Sequence, residues 1–344
     1  MSRTCILHAG MHKTGSTSIQ VAFEGYADER LVYAPLISSN HSYAVVDLFA
    51  GLGESALAEF LAGRAPQAYL QRRATLRRAF RALLESDTRD LLISAEALTG
   101  EMLESDGIDN LLAALGPHFD RIRFIAYVRE PKSFVVSMQN QRLRERVTDF
   151  DPGRWYPGYR AKFEPWIDRL GAENVELVLY DRSALAGGDA IGDLARRVGA
   201  RLPERGLRHV NIGYSAEATA LQQLWLRRLA SARPSFRARA AISYGKRRVM
   251  EFGDTPFGID PDILADVVAG QADDIGWIEA RLGRGFPEHR QKPGTRLFHS
   301  QAELIACATE AEAAFWRFIR DGWRPWKDSV LALEAAGRTL TGQD

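Results

Sequence analysis

Residues Thr4 to Glu24 constrain this chain most. A short β-prone run, Thr4 to Ala9, passes into Gly10-Met11-His12-Lys13-Thr14-Gly15-Ser16-Thr17, after which Ser18 to Glu24 can continue as a helix. A strand that feeds a glycine loop and a helix N-terminus turns backbone N–H groups and the positive end of the helix dipole toward one point, which makes a cradle for an anion. The loop has the length of a triphosphate-binding loop, but Ser16 follows the second glycine where such a loop needs Lys. Lys13 sits three places earlier. A cation inside the loop, with the hydroxyls of Thr14, Ser16, Thr17 and Ser18 around it, suits a 5′-phosphate and its leaving group better than a metal-bound triphosphate. The plainer reading of the segment is a tight strand-to-helix turn.

Further along, the apolar runs Leu91 to Ala95, Ile122 to Val128 and Val175 to Tyr180 read as buried strands of the non-alternating kind found in parallel sheets. Helical patterns at Asp109 to Leu115, Ser133 to Arg146, Trp166 to Leu170 and Ile191 to Val198 alternate with them. The fold class that follows is α/β: a P-loop-like doubly wound parallel sheet of four to five strands. Mixed text with helical stretches at Tyr43 to Phe49, Glu54 to Leu61 and Tyr69 to Glu85 forms a helical insertion over 36–87. After Asn211 the strand signals stop, and Glu217 to Ser231, Pro261 to Leu282 and Gln301 to Arg320 predict a helical C-terminal region over 216–330. With no clear linker, 344 residues are expected to form a single domain whose core is 1–35 and 88–215.

Charge narrows the function classes. Lys and Arg number 45 against 44 Asp and Glu, for a net charge of +1, so no dominant nucleic-acid-binding surface is expected and any nucleotide must be held by a local site. Six of those 45 cations are lysines, which makes Lys13 in its loop the more pointed choice. Cys5 and Cys307 are too few and too far apart for a disulfide framework, no export signal or membrane-length apolar stretch stands out, and a cytoplasmic location is expected. No metal-ligand spacing is visible.

A second motif, Tyr127-Val-Arg-Glu-Pro-Lys-Ser-Phe-Val-Val-Ser137, puts Arg129 at the end of an expected strand and Ser137 eight residues on in the next helix. A planar guanidinium and a hydroxyl make a good receptor for a second phosphate, and strand ends of this kind converge on the ligand crevice of open α/β sheets.

With both motifs in view, the sequence resembles the sulfotransferase superfamily, which uses 3′-phosphoadenosine 5′-phosphosulfate. His12-Lys-Thr-Gly-Ser-Thr-Ser-Ile-Gln20 is similar to the family's 5′-phosphosulfate loop, and Val128-Arg-Glu-Pro-Lys-Ser-Phe-Val-Val-Ser137 to its 3′-phosphate motif; the His-Lys-Thr-Gly form and Gln20 resemble bacterial members. The resemblance implies that His12, Lys13, Thr14, Gly15, Ser16, Thr17, Ser18, Arg129 and Ser137 bind the nucleotide, and that a sulfuryl group passes in line, without a metal, to a hydroxyl or amine. The acceptor is open: a glycan, a lipid-linked sugar, a small alcohol or an amine. A general base is also required, and Glu96, His41 and His12 are its candidates, with Glu96 favoured because its strand end should face the crevice. The runner-up functions are a P-loop kinase-like phosphotransferase and a catalytically inactive nucleotide-binding protein.

Two C-terminal features are weaker. Arg233 to Arg248 carries Arg233, Arg237, Arg239, Lys246, Arg247 and Arg248 with no acid, and reads as a solvated helix face or a guide for an acidic acceptor. Phe315, Trp316, Phe318, Trp323 and Trp326 read as helix-to-core packing in preference to a sugar platform.

Overall fold

The computed structural model describes residues 2–11, 14–50, 66–100, 103, 105–202, 214–231 and 236–321. The chain divides into two compact units: residues 1–130, 158–211 and 273–287 form the first, and 131–157, 212–272 and 288–344 the second.

The first unit is built on a five-stranded, all-parallel sheet of order β2-β3-β1-β4-β5, with β1 at Thr4–Gly10, β2 at Leu31–Tyr33, β3 at Asp90–Ser94, β4 at Arg121–Val128 and β5 at Val175–Leu179. β1 lies at the centre with both faces buried: Cys5, Leu7 and Ala9 on one, Ile6 and His8 on the other. Helices α1 (Ser16–Phe23) and α7 (Ala190–Val198) cover the Ile6 face, where Ile19 and Phe23 pack with Leu92, Ile125, Tyr127, Ile191 and Leu194. On the opposite face Trp166, from α6 (Tyr159–Leu170), stacks on Phe124 with ring centroids 4.5 Å apart and donates its indole N–H to Leu98 O at 2.9 Å. Helices on both faces make the sheet doubly wound, as expected. Helices α2 (Ser42–Phe49), α3 (Pro66–Ser86) and α4 (Ser105–Leu115) complete this part of the unit. The expected stretch Glu54 to Leu61 lies outside the described residues.

The second unit holds α5 (Pro131–Glu145), α8 (Ala216–Ser231), α9 (Phe236–Arg248), α10 (Pro261–Ala269) and α12 (Gln301–Asp321), while α11 (Ala272–Leu282) falls almost wholly in the first. Two expectations need correction here. Strand structure does not stop at Asn211: Phe257–Ile259 (β6) and Arg296–Phe298 (β7) form a separate parallel pair, and Phe257, Ile259 and Phe298 are core residues beside Leu304, Cys307 and Ala308. The single helical pattern Pro261 to Leu282 is two helices, broken at Gly270. Phe315 and Trp316 pack with Trp225 and Ile242, with Phe318 against them, which is the core role expected; Trp323 and Trp326 lie outside the described residues. Of the basic block, Arg248 pairs with Glu251 at 3.0 Å and burial lowers the Lys246 pKa, whereas Arg233 and the side chains of Arg237 and Arg239 lie outside the described set.

His299 closes the end of the β6–β7 pair. Its Nε2 lies 2.9 Å from Asp260 Oδ2 and its Nδ1 3.1 Å from Glu303 Oε2, and the Glu303 hydrogen bond raises its pKa above the usual 6.5, helped by Asp260. A raised histidine pKa contributes stability that is complete below 6.5 and is lost as pH climbs through the folded-state value. The melting-temperature difference between wild type and His299→Gln should therefore be largest below pH 6.5 and shrink above it; a difference that stays constant from pH 5.5 to 8.5 would contradict the charged clasp.

No described helix is long and apolar enough to cross a membrane.

Candidate functional site

β1 delivers its loop to the middle of the sheet's C-terminal edge. Its neighbour on one side is β3, with His8 opposite Ser94, and on the other β4, with Gly10 opposite Tyr127. The chain leaves β1 toward β2 and leaves β4 toward β5, in opposite directions along the sheet, so the β1–β4 boundary is a topological switch point where open α/β sheets bind ligands.

Local contacts fix the loop from below. Met11, buried, donates its N–H to Tyr127 O at 3.4 Å, and its own carbonyl receives both the N–H and the hydroxyl of Thr14, at 3.2 and 2.7 Å. Thr14 Oγ1 is thus spent on the loop itself. Gly15 then takes φ 84°, the left-handed region that disfavours side chains, and its carbonyl accepts from Ile19 to start α1. Gly10 is required for another reason: a Cβ there would fall 1.8 Å from Ser16 Oγ and 2.9 Å from Ser16 Cβ. The strand end and the first turn of α1 touch, and the first-turn amides, which helix geometry leaves without intrahelical partners, emerge beside the close approach. His12 and Lys13 lie outside the described residues. Thr17 is exposed, while Ser16 and Ser18 are buried.

The other candidates sort by unit. Arg129 directly follows β4 in the first unit; its side chain is half-buried, and burial holds its pKa below the usual value against raising contributions from Tyr180 and Glu130. The carbonyl of Arg129 accepts the Tyr159 hydroxyl at 2.6 Å. Ser137 lies in α5 of the second unit and is half-buried there. Glu96 opens a short 3-10 turn just past the end of β3, half-buried, at the strand end expected for it.

His41 is the surprise. It precedes α2, as its sequence position suggested, but it is 1% exposed and packed against the Tyr33 ring, tilted by 34° with centroids 4.4 Å apart. Its Nδ1 accepts from Ser94 N–H at 3.0 Å, and burial pushes its pKa down to about 4. Sequence reasoning passed over one further polar residue. His8, fully buried, faces Ser94 Oγ through Nδ1 at 2.8 Å, with its pKa pushed by burial to about 3. A histidine inside an otherwise apolar strand run was the signal that could have found it. Gln20, noted in the sequence only as part of the loop motif, is 1% exposed in α1.

Among the described residues no group of three or more His, Cys, Asp or Glu is placed to hold a metal ion. No family model matches the chain and no curated protein matches it.

Proposed function

We propose that this protein is a sulfotransferase that moves a sulfuryl group from 3′-phosphoadenosine 5′-phosphosulfate to a hydroxyl or amine. The observation that carries the reading is the loop at the switch point: Gly10 and Gly15 bring the N-terminus of α1 against the end of β1, with Ser16 where a triphosphate loop has Lys. The donor set fits the nucleotide. First-turn amides and hydroxyls face one phosphate, and Arg129, a cation disfavoured by its burial, gains from an anion beside it.

In the proposed reaction the acceptor's oxygen or nitrogen forms a bond to sulfur as the bond from sulfur to the bridging oxygen of the 5′-phosphate breaks, and the acceptor's proton passes to a base. Charge grows on the departing bridging oxygen, so Lys13 and the loop amides lower the barrier by meeting it there. Glu96, at the end of the strand beside β1, is the proposed base. Arg129 is assigned to the 3′-phosphate. The chemistry proposed here requires no metal. The acceptor is unassigned, a glycan being one candidate, and a cytoplasmic setting is proposed with it.

A phosphotransferase is the second reading, favoured only by the general architecture of a phosphate loop on a parallel sheet. Thermal unfolding separates the two. Adenosine 3′,5′-bisphosphate at a hundred times its dissociation constant adds about 2.7 kcal/mol of stability, a rise of several degrees, and should do so in the presence of a chelator. A rise with ATP and magnesium and none with the bisphosphate would replace sulfuryl transfer with phosphoryl transfer.

A further inference from the structure

Residues 273–287 belong to the first unit, although the chain on either side of them belongs to the second. Within the first unit this stretch converges on Tyr159, the first residue of α6. Gly158 opens that helix at φ 62° and brings no capping side chain, and Asp274 of α11 supplies the cap: its Oδ2 accepts Tyr159 N–H at 2.8 Å and its Oδ1 accepts Arg160 N–H at 2.7 Å. A carboxylate on two first-turn amides meets both their unmade hydrogen bonds and the positive end of the helix dipole. Phe286 then stacks on the Tyr159 ring, with centroids 5.5 Å apart and planes 30° from parallel. Arg284 carries the same stretch to Asp181, just past β5, at 3.7 Å. Tyr159 itself is fully buried, so its backbone and its ring are both held.

The Tyr159 hydroxyl donates to Arg129 O at 2.6 Å. Both ladders of β4 end before that carbonyl: the last paired residues are Gly10 with Tyr127 on one side and Leu179 with Val128 on the other. Tyr159 thus does for the first residue past the sheet what a ladder bond does for those inside it. We infer that Tyr159 is a positioning residue for the 3′-phosphate site, holding the strand-end backbone so that the Arg129 side chain leaves it in one direction, and that residues 273–287 act on the site by holding Tyr159. The inference rests on the reading of Arg129 as the 3′-phosphate ligand. A held carbonyl fixes the peptide plane after Arg129 and with it that residue's ψ, which sets the course of the side-chain stem. A guanidinium meets phosphate through a planar fork of donors, so its grip depends on direction as well as on charge. An aim set before the ligand arrives spares binding the cost of ordering a long side chain.

Tyr159→Phe removes the hydroxyl and keeps the ring. Calorimetric titration with adenosine 3′,5′-bisphosphate and with adenosine 5′-monophosphate, which lacks the 3′-phosphate, should show the variant binding the bisphosphate roughly fivefold to tenfold more weakly and the monophosphate within about twofold of wild type. A packing defect would weaken both nucleotides alike. Phe286→Leu, at a half-buried position, takes away the stacking partner; it should lower the ratio of the two affinities by about threefold, add little to Tyr159→Phe in the double variant, and carry the test alone where Tyr159→Phe does not fold. A ratio that keeps its wild-type value in either variant, whether both affinities fall together or neither does, would overturn the inference. Wild-type protein with no preference for the bisphosphate, or an Arg129→Ala variant that keeps the preference, would instead remove the reading of Arg129, and the role of Tyr159 with it.

Discussion

Replacing Lys13 with alanine should lower the rate of sulfuryl transfer by roughly 10²- to 10³-fold, the size of loss seen when one preorganised donor to a developing oxyanion is removed. The reasoning runs from charge: the bridging oxygen gains negative charge only as the sulfur–oxygen bond breaks, so a cation in the loop stabilises the transition state more than the bound substrate. The loss should therefore fall on kcat, with the affinity for the bisphosphate product reduced much less. Lys13→Arg is expected to recover part of the rate, since charge is restored but its point-like geometry is not. Steady-state kinetics with any accepted alcohol or amine would test this. A Lys13→Ala enzyme keeping more than a tenth of wild-type kcat would show that the loop is not where the leaving group is met.

The largest expected effect on stability is at Asp193. This carboxylate, fully buried in α7, accepts from Tyr127 Oη at 2.8 Å, from Ala186 N–H at 3.2 Å and from Arg197 Nε at 2.5 Å; Arg197 also pairs with Glu176, which takes Arg123 at 3.2 Å. Asp193→Ala would leave the Tyr127 hydroxyl and the Arg197 guanidinium without their buried acceptor, which costs about 3–5 kcal/mol. Asp193→Asn, which keeps an acceptor for Tyr127, should cost less. Burial alone would raise the pKa of Asp193, but Arg197, Ala186 N–H and Tyr127 outweigh it and hold it below the usual 3.8. A depressed carboxylate pKa contributes stability that is present above 3.8 and is lost as pH falls through the folded value. Urea titrations at pH 7 and pH 3 should therefore show a gap between wild type and Asp193→Ala that narrows in acid. A gap under 1 kcal/mol at pH 7 would mean that Arg197 and Tyr127 find other partners. Tyr127 is also the residue opposite Gly10 and the acceptor for Met11 N–H, so the variant should loosen the loop as well as the fold.

Much of this molecule can be read from residue pattern, within definite physical limits. The runs at Thr4, Leu91, Ile122 and Val175 declare themselves because a strand buried on both faces has no polar alternation to dilute it. β2, β6 and β7 are three residues each, too short for any period to register, and β6 carries Gly258 at its centre. The first half of α6 was hidden by Pro165, which sits inside the helix and argues locally against it. In the candidate site, the glycine turn after β1 and the place of Arg129 at the end of β4 were legible because each directly follows an apolar strand run. The burial of His8, Gln20 and His41 was not. It is decided by which strands end where, and above all by the stop of β2 one turn of pattern before β3 ends.

The central position of β1 also bears on how the protein is made. β1 precedes the other strands of its sheet in the chain, yet its two hydrogen-bonded neighbours lie 86 and 117 positions later. Neither pairing can form until those segments have left the ribosome, so β1 must wait for β3, which ends at Ser94, and for β4, which ends at Val128. The pairing that holds the loop in place thus becomes available only with β4, and before β5 joins the sheet.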